Sequence, residues 1–145
     1  MADINKDLNT TFVNNKTKAL LNILYTASWI SSCQNEFFKT YGISPQQYNI
    51  LRILNGAKKP LKVQTIKNRM IERSPNTTRL MDKLYLKQYI NRLPCTEDRR
   101  VVKIIITQKG KDLIALIPKN FNTELLKNLN EEDAEKLSDL LDKMR

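Results

Sequence analysis

The chain has 145 residues, and 25 Lys and Arg against 15 Asp and Glu give it a formal net charge of +10 at pH 7. This length is enough for one domain with its own hydrophobic core. The absence of histidine and the presence of only two cysteines, Cys33 and Cys95, exclude Ser-His-Asp and Cys-His catalysis, histidine-containing zinc sites and a disulfide framework. We therefore expect neither an enzyme nor a metal or other cofactor.

Location is predicted from what the sequence lacks. Residues 1–12 contain no apolar core of a signal peptide, and no stretch is long and apolar enough to span a bilayer. We therefore expect a cytoplasmic protein without membrane contact.

The positive charge is concentrated in the middle of the chain. Residues 1–57 carry +2, residues 58–111 carry +11, and residues 112–145 carry −3. A polyanion is the natural partner of such a segment. A solvated basic face is the alternative that composition alone leaves open.

The first predicted helix spans about residues 16–41 and is apolar along more than one row. A surface helix of a small monomer needs only one apolar stripe. The second row therefore predicts burial on two sides, with another subunit as a candidate for one of them. The first row consists of Leu20, Ile23, Ala27, Ile30, Cys33 and Phe37, and the second of Leu21, Tyr25 and Trp29.

Three shorter helices follow in the predicted order. The second helix begins at Ser44, with Pro45 at its first position and Gln47 completing a capping box, and Gly56 offers a left-handed stop. The third helix spans residues 62–70. The fourth repeats the Ser-Pro start signal at residues 74–75 and continues to about residue 87.

After Tyr89 the periodicity changes from helical to alternating. Residues 89–93 and 101–107 are typical of β-strands, and the polar residues 94–100 join them as a hairpin. Apolar residues then recur every four positions from Leu113 to Leu125, with a kink expected at Pro118. A last helix is predicted over residues 134–144, and the acidic residues 131–133 favour its start.

This order of elements is that of a winged helix-turn-helix, a mainly α fold with a small β-hairpin. The fourth helix would lie in the DNA major groove and the third would brace it. Asn76 is a candidate for adenine, Arg79 for guanine, and the methyl groups of Thr77 and Thr78 for thymine, although Thr77 alternatively faces the core. The other candidate DNA-binding residues here are Lys62, Lys67, Arg69, Arg73, Ser74 and Lys83.

The predicted hairpin loop carries Arg99 and Arg100 beside Asp98. A guanidinium on a thin loop fits a narrow, electronegative minor groove, and a nearby carboxylate is able to hold one arginine in a fixed pose. By itself this tripeptide is equally typical of an exposed turn. Its position in a hairpin, after a basic helix, favours contact with DNA.

Several of these segments together resemble one known family. Residues 98–102 read Asp-Arg-Arg-Val-Val and residues 106–110 read Ile-Thr-Gln-Lys-Gly. Residues 76–84 look like a recognition helix, and Arg92 stands at the start of the wing. In these motifs, and in helix order and length, the sequence resembles the MarR family of bacterial transcriptional regulators. It departs at Gln88, where the family usually has a turn glycine, and at Ile106, where it usually has leucine.

The resemblance implies a homodimer that binds a pseudopalindromic operator, and most simply a ligand-responsive repressor. Residues 1–41 and 112–145 would form the dimerisation helices and residues 44–110 the DNA-binding lobe of a single domain, residues 1–145. The wing arginine of the family corresponds to Arg100, with Arg99 as the alternative and Asp98 as its orienting partner.

Members of the family often respond to small aromatic ligands, and some sense oxidants through a cysteine. Tyr25, Trp29 and Tyr48 are the candidates for lining a ligand pocket, although aromatic residues at helical spacing more often belong to a core. Cys33 lies on the apolar stripe of the first helix, and Cys95 is expected to be accessible near the wing. We expect both cysteines to be unreactive.

Overall fold

The computed structural model describes residues 2–72 and 76–145. The predicted helix start at residues 74–75 and the candidate Arg73 lie outside the described residues. The elements are α1 (Ile4–Asp7), α2 (Asn15–Lys39), α3 (Pro45–Ala57), β1 (Leu61–Lys62), α4 (Val63–Arg69), α5 (Thr77–Leu86), β2 (Ile90–Pro94), β3 (Val102–Ile106), α6 (Gln108–Leu116), α7 (Phe121–Glu124) and α8 (Glu131–Asp142). This confirms the predicted fold class, mainly helical with a small antiparallel sheet.

The predicted hairpin is part of a three-stranded sheet in the order β1-β3-β2. The two-residue strand β1 was not predicted, because two residues are too few to show an alternating pattern. Beyond the paired strands, the backbone N–H of Cys95 donates to the carbonyl of Val101 at 3.0 Å, and that of Val101 donates to Asp98 at 3.0 Å. These bonds define the tip of the wing, residues 95–101.

One hydrophobic core joins the helix-turn-helix to the sheet. Its most buried members come from α3, α4, α5, β2 and β3, so these five elements share one interior. Burial at this level keeps α5 fixed against the elements around it. The members no more than 1% exposed are Ile50, Leu51, Leu54, Ile66, Met81, Leu84, Ile90 and Ile104.

Two predicted details of the helices were wrong, the end of the second helix and the kink at Pro118. Gly56 lies inside α3, and the left-handed residue that ends this helix is Lys58, with φ 53°. At Pro118 the chain breaks instead of kinking, since α6 ends at Leu116 and α7 begins at Phe121. Proline removes a backbone donor and clashes with the preceding turn, which explains a full break.

The described chain divides into two compact units, Met1–Ile114 and Ala115–Arg145. Each of them exposes an apolar helix face. In the first, α2 is 25 residues long, yet Phe38 is its one buried residue, while Leu24 and Trp29 are 58% and 46% exposed. In the second, α8 exposes Leu137 and Leu140. Within the described residues, no helix combines the length and hydropathy needed to cross a membrane.

Candidate nucleic-acid interface

Helix α5 presents a buried face and a polar face, as predicted for a recognition helix. Met81 and Leu84 are buried on one side, and Thr78, Arg79 and Lys83 are exposed. Thr77 is only 1% exposed, and its hydroxyl donates to Sδ of Met70 at 3.7 Å. The core-facing alternative for Thr77 is therefore the one found, and Thr77 does not belong to the exposed surface.

The start of α3 also holds α5 in position. Ser44 and Gln47 form the predicted capping box, with the Gln47 N–H donating to Ser44 Oγ at 3.1 Å and the Ser44 N–H donating to Gln47 Oε1 at 3.0 Å. The amide nitrogen of Gln47 donates in addition to the carbonyl of Leu80 at 3.4 Å. A capping residue read from local sequence thus also braces the candidate recognition helix, which no local pattern reveals.

The connection between α4 and α5 is attached to α3 as well. Asn49 accepts a hydrogen bond from the backbone N–H of Ile71 at 3.2 Å, and Gln46 donates to the carboxylate of Glu72 at 3.0 Å. On α4 and just before it, Lys62 and Arg69 are exposed and Lys67 is half-buried. The structure therefore leaves the described lysines and arginine of this segment at the surface of the lobe that carries α5.

At the tip of the wing, Arg99 and Arg100 are both exposed, in agreement with the predicted loop. Asp98 acts differently from the prediction: its carboxylate accepts from the backbone N–H of Arg100 at 2.9 Å, and no described residue forms an ion pair with either guanidinium. Such a side-chain-to-backbone bond is typical of an Asx turn. Asp98 therefore shapes the loop and does not hold an arginine side chain.

The prediction that Cys95 is accessible was wrong, since this residue is 3% exposed. It lies under the turn of the wing tip, where the backbone N–H groups of Asp98 and Glu97 lower the pKa of its thiol. Those N–H groups favour the thiolate by donating hydrogen bonds to it. Cys95 is thus enclosed by the loop that carries the two arginines.

Arg92 connects the wing to α5. Its guanidinium pairs with the carboxylate of Asp82 and lies over the ring of Tyr85, 5.1 Å from the ring centroid. Both partners belong to α5, so one side chain of β2 fixes the angle between the hairpin and the helix. The sequence identified Arg92 only as a motif residue, because its contacts arise from the fold.

The turn that follows α5 is held by the start of α6. Thr107 donates its hydroxyl to the carbonyl of Gln88 at 2.7 Å and accepts from the N–H of Gly110 at 3.1 Å. Gln88 has φ 63°, the left-handed conformation that glycine adopts most readily. A Cβ atom on Gly110 would lie 2.4 Å from the carbonyl oxygen of Tyr89. We call Thr107, Gly110 and Gln88 the α5–α6 joint.

The three candidate ligand-lining aromatics are in different surroundings. Tyr48 is half-buried in α3 and packs on Phe38 with ring centroids 4.5 Å apart, which is core packing. Tyr25 and Trp29 lie one turn apart on α2 and are 44% and 46% exposed. Cys33, on the same helix, is half-buried.

Comparison with known proteins identifies the family. Residues 43–102 match the model of the MarR family. The chain is 34% identical over 110 residues to the HTH-type transcriptional regulator PapX of Escherichia coli. This match covers 73% of this chain and 67% of PapX.

Among solved structures, a mutant of E. coli MarR complexed with operator DNA matches with a TM-score of 0.77 at 23% identity, covering 92% of this chain and 99% of that one. The S. aureus MepR–DNA complex matches with a TM-score of 0.74 at 21% identity, covering 88% and 94%. Together with the match to PapX, these findings show that the chain belongs to the MarR family of transcriptional regulators, a class of proteins distinct from enzymes.

Proposed function

We propose that this chain is a sequence-specific regulator that binds double-stranded DNA through α5 and the wing tip. The observation that carries the proposal is the arrangement of α5, which buries Met81 and Leu84 while it exposes Arg79 and Lys83. A helix of this kind fits the major groove, where base edges differ in their donors and acceptors. MarR and MepR share this fold and were solved in complex with DNA, which supports DNA binding by this chain.

The proposed contacts follow from exposure. Base contacts are assigned to Thr78, Arg79 and Asn76 at the N-terminal end of α5, and minor-groove contact to Arg100 with Arg99 as the alternative. Arg73 and Ser74 are proposed from the sequence alone. Asp98 contributes through the shape of the loop, and Thr77 through packing. Phosphate contacts, which supply most of the affinity, are assigned to Lys62, Lys67, Arg69 and Lys83.

We infer that the protein is a homodimer organised as one domain. Leu24 and Trp29 on α2 and Leu137 and Leu140 on α8 are all at least 43% exposed, and large exposed apolar patches mark sites of protein–protein interaction. Residues 1–41 and 112–145 are proposed as the dimerisation helices around a DNA-binding lobe, residues 44–110. A twofold dimer would bind half-sites about 34–36 Å apart on a pseudopalindromic operator.

We propose further that the protein is a cytoplasmic repressor whose affinity for DNA falls when a small aromatic ligand binds. Tyr25 and Trp29 are the residues that support this, because both rings are close to half exposed on α2 and offer stacking surfaces. Tyr48 supports it less, since its ring already packs on Phe38.

The test is selection of bound fragments from the source genome with the purified protein, followed by competition against bulk DNA. A specific regulator prefers its site by roughly a thousandfold or more. A non-specific binder of nucleic acid would show no such preference, and this result would overturn the proposal. Arg100→Ala should weaken binding to the selected site while leaving thermal unfolding unchanged.

A further inference from the structure

Strands β1 and β3 bring two lysines into register. Leu61 pairs with Ile104, and both side chains are buried. The next pair is Lys62 with Lys103. Because successive side chains point to opposite faces of a strand, this pair projects from the outer face of the sheet. Directly opposite residues have Cβ atoms about 4.5–5.5 Å apart, so both side chains start from one small area of the sheet, where Lys62 is exposed and Lys103 is half-buried.

No carboxylate of the described residues forms an ion pair with either lysine, although the charge of Lys103 helps to lower the pKa of the Cys95 thiol. The ion pairs of the described residues are Arg92 with Asp82, Lys136 with Glu132, and Arg145 with Asp142, and none of them involves Lys62 or Lys103. The outer-face neighbour of Lys103 on β2 is Leu93. Like charges directly opposite each other destabilise a sheet, so the free protein bears a cost that an anion between the two lysines would remove.

Two further lysines strengthen the positive charge at this edge of the sheet. Lys58 and Lys59 immediately precede β1 and are both exposed. Lys62 is also the residue from which α4 begins. The first helix of a helix-turn-helix crosses the DNA backbone when the second lies in the major groove. The start of α4 is therefore where a backbone phosphate would pass.

We propose that Lys62 and Lys103 clamp a single backbone phosphate of bound DNA, each ammonium donating to a different phosphate oxygen. This lysine clamp rests on the proposed function and extends the interface from α5 and the wing tip to the outer face of the sheet. Its ligand is the phosphodiester group, so the contribution to affinity is independent of base sequence.

The test is the salt dependence of binding to a labelled duplex of mixed sequence, about 30 base pairs long or three helical turns. The affinities of the parent, Lys62→Gln, Lys103→Gln and the double variant are measured by fluorescence anisotropy at several salt concentrations. The slope of log K against log salt falls by about 0.9 per lost phosphate contact, hence about 1.8 for the double variant of a dimer with one clamp in each subunit.

Shared use of one phosphate has a second signature. Each single substitution already breaks the clamp, so the double variant should lose less affinity than the product of the two single losses. Thermal unfolding of the free protein should be unchanged or shifted upward in all three variants, because the like-charge pair is removed.

The matched control for the single variants is Lys111→Gln, which removes one charge from an exposed lysine outside both the proposed DNA-binding lobe and the proposed dimerisation helices, and it should leave the slope near that of the parent. An unchanged slope in the clamp variants, or a fall no larger than in the control, overturns the clamp while the proposed function stands. Absence of salt-dependent binding by the parent would instead overturn the proposed function itself.

Discussion

Residues 43–114 bury most of their large apolar side chains, whereas helix α2 leaves several of its own exposed. In the first segment, α3, α4, α5 and the sheet enclose a core in which Leu51 and Leu84 are completely buried. In α2, Leu20 and Leu24 are 51% and 58% exposed although they stand one turn apart at regular helical spacing. Both segments carry apolar side chains at helical spacing in the sequence. Periodicity therefore predicts that a face will be covered, but it does not say whether the cover comes from the same chain.

The largest effect is expected on α2, whose exposed apolar face is proposed to pack against a second subunit. Leu20→Glu with Leu24→Glu should convert a dimer to a monomer, because charged groups would have to be desolvated at the interface. A monomer can bind only one half-site of the operator, so its affinity should be lower by about 100-fold or more. Sedimentation and anisotropy measure the two outcomes.

The matched control carries the same charges on the polar side of the same helix, as Asn22→Glu with Thr26→Glu. Both of these residues are exposed, and the dimer should persist. If the leucine variant keeps the mass of the parent protein, α2 is not the interface.

Within the core segment, Leu84→Ala should lower the free energy of unfolding by about 2–5 kcal/mol, since it leaves a cavity in a close-packed interior. Leu86→Ala, two residues further along α5, should change it by less than about 0.5 kcal/mol, because Leu86 is 79% exposed. Urea denaturation measures both. Equal losses would contradict the separation of α5 into a buried and an exposed face.

Gly110, in the α5–α6 joint, is compared with Gly56, which lies inside α3. Gly110→Ala should destabilise by about 1–3 kcal/mol, because the new Cβ meets the Tyr89 carbonyl oxygen, a backbone atom that cannot swing away. Gly56→Ala should stabilise by about 0.5–1 kcal/mol, since nothing lies within 4 Å of its Cβ position. Opposite signs in thermal unfolding are the expected outcome, and a Gly110→Ala variant as stable as the parent protein would contradict the close approach.

The smallest effect is expected at Gln88, whose φ of 63° is costly for a residue with a side chain. Gln88→Gly should raise the free energy of unfolding by up to about 1 kcal/mol, because relief of strain outweighs the greater freedom of the unfolded chain. Gln108→Gly, at the first residue of α6, should lower it, because the unfolded chain gains freedom and the hydrogen bond from Gln108 to Asp112 is lost. A loss at both positions would show that Gln88 is not strained.

Sequence reasoning succeeded where the deciding contacts are local. The capping box at Ser44 and Gln47 involves residues three positions apart, so the local amino-acid sequence was enough to predict it. The hairpin was found for the same reason, from alternation and a polar loop. The motifs at residues 98–102 and 106–110, together with the predicted order of elements, then pointed to the family.

It was incomplete where the partner is distant in the chain. The bond from Gln47 to Leu80 spans 33 positions, and the pairing of Arg92 with Asp82 depends on how the hairpin folds back on α5. Cys95 was expected to be accessible because it lies near the wing, yet it is only 3% exposed. No local pattern carries this information, since burial is a property of the assembled lobe.

The bond from the Arg100 N–H to Asp98 has a consequence for how the wing meets its target. An arginine already committed to a carboxylate must give up that partner, and resolvate it, before it engages an anionic groove. Here the carboxylate accepts from the main chain, so it restrains the loop backbone while each guanidinium keeps its five N–H donors for DNA. A restrained loop backbone with two free arginine side chains suits a minor groove whose width varies from one binding sequence to the next.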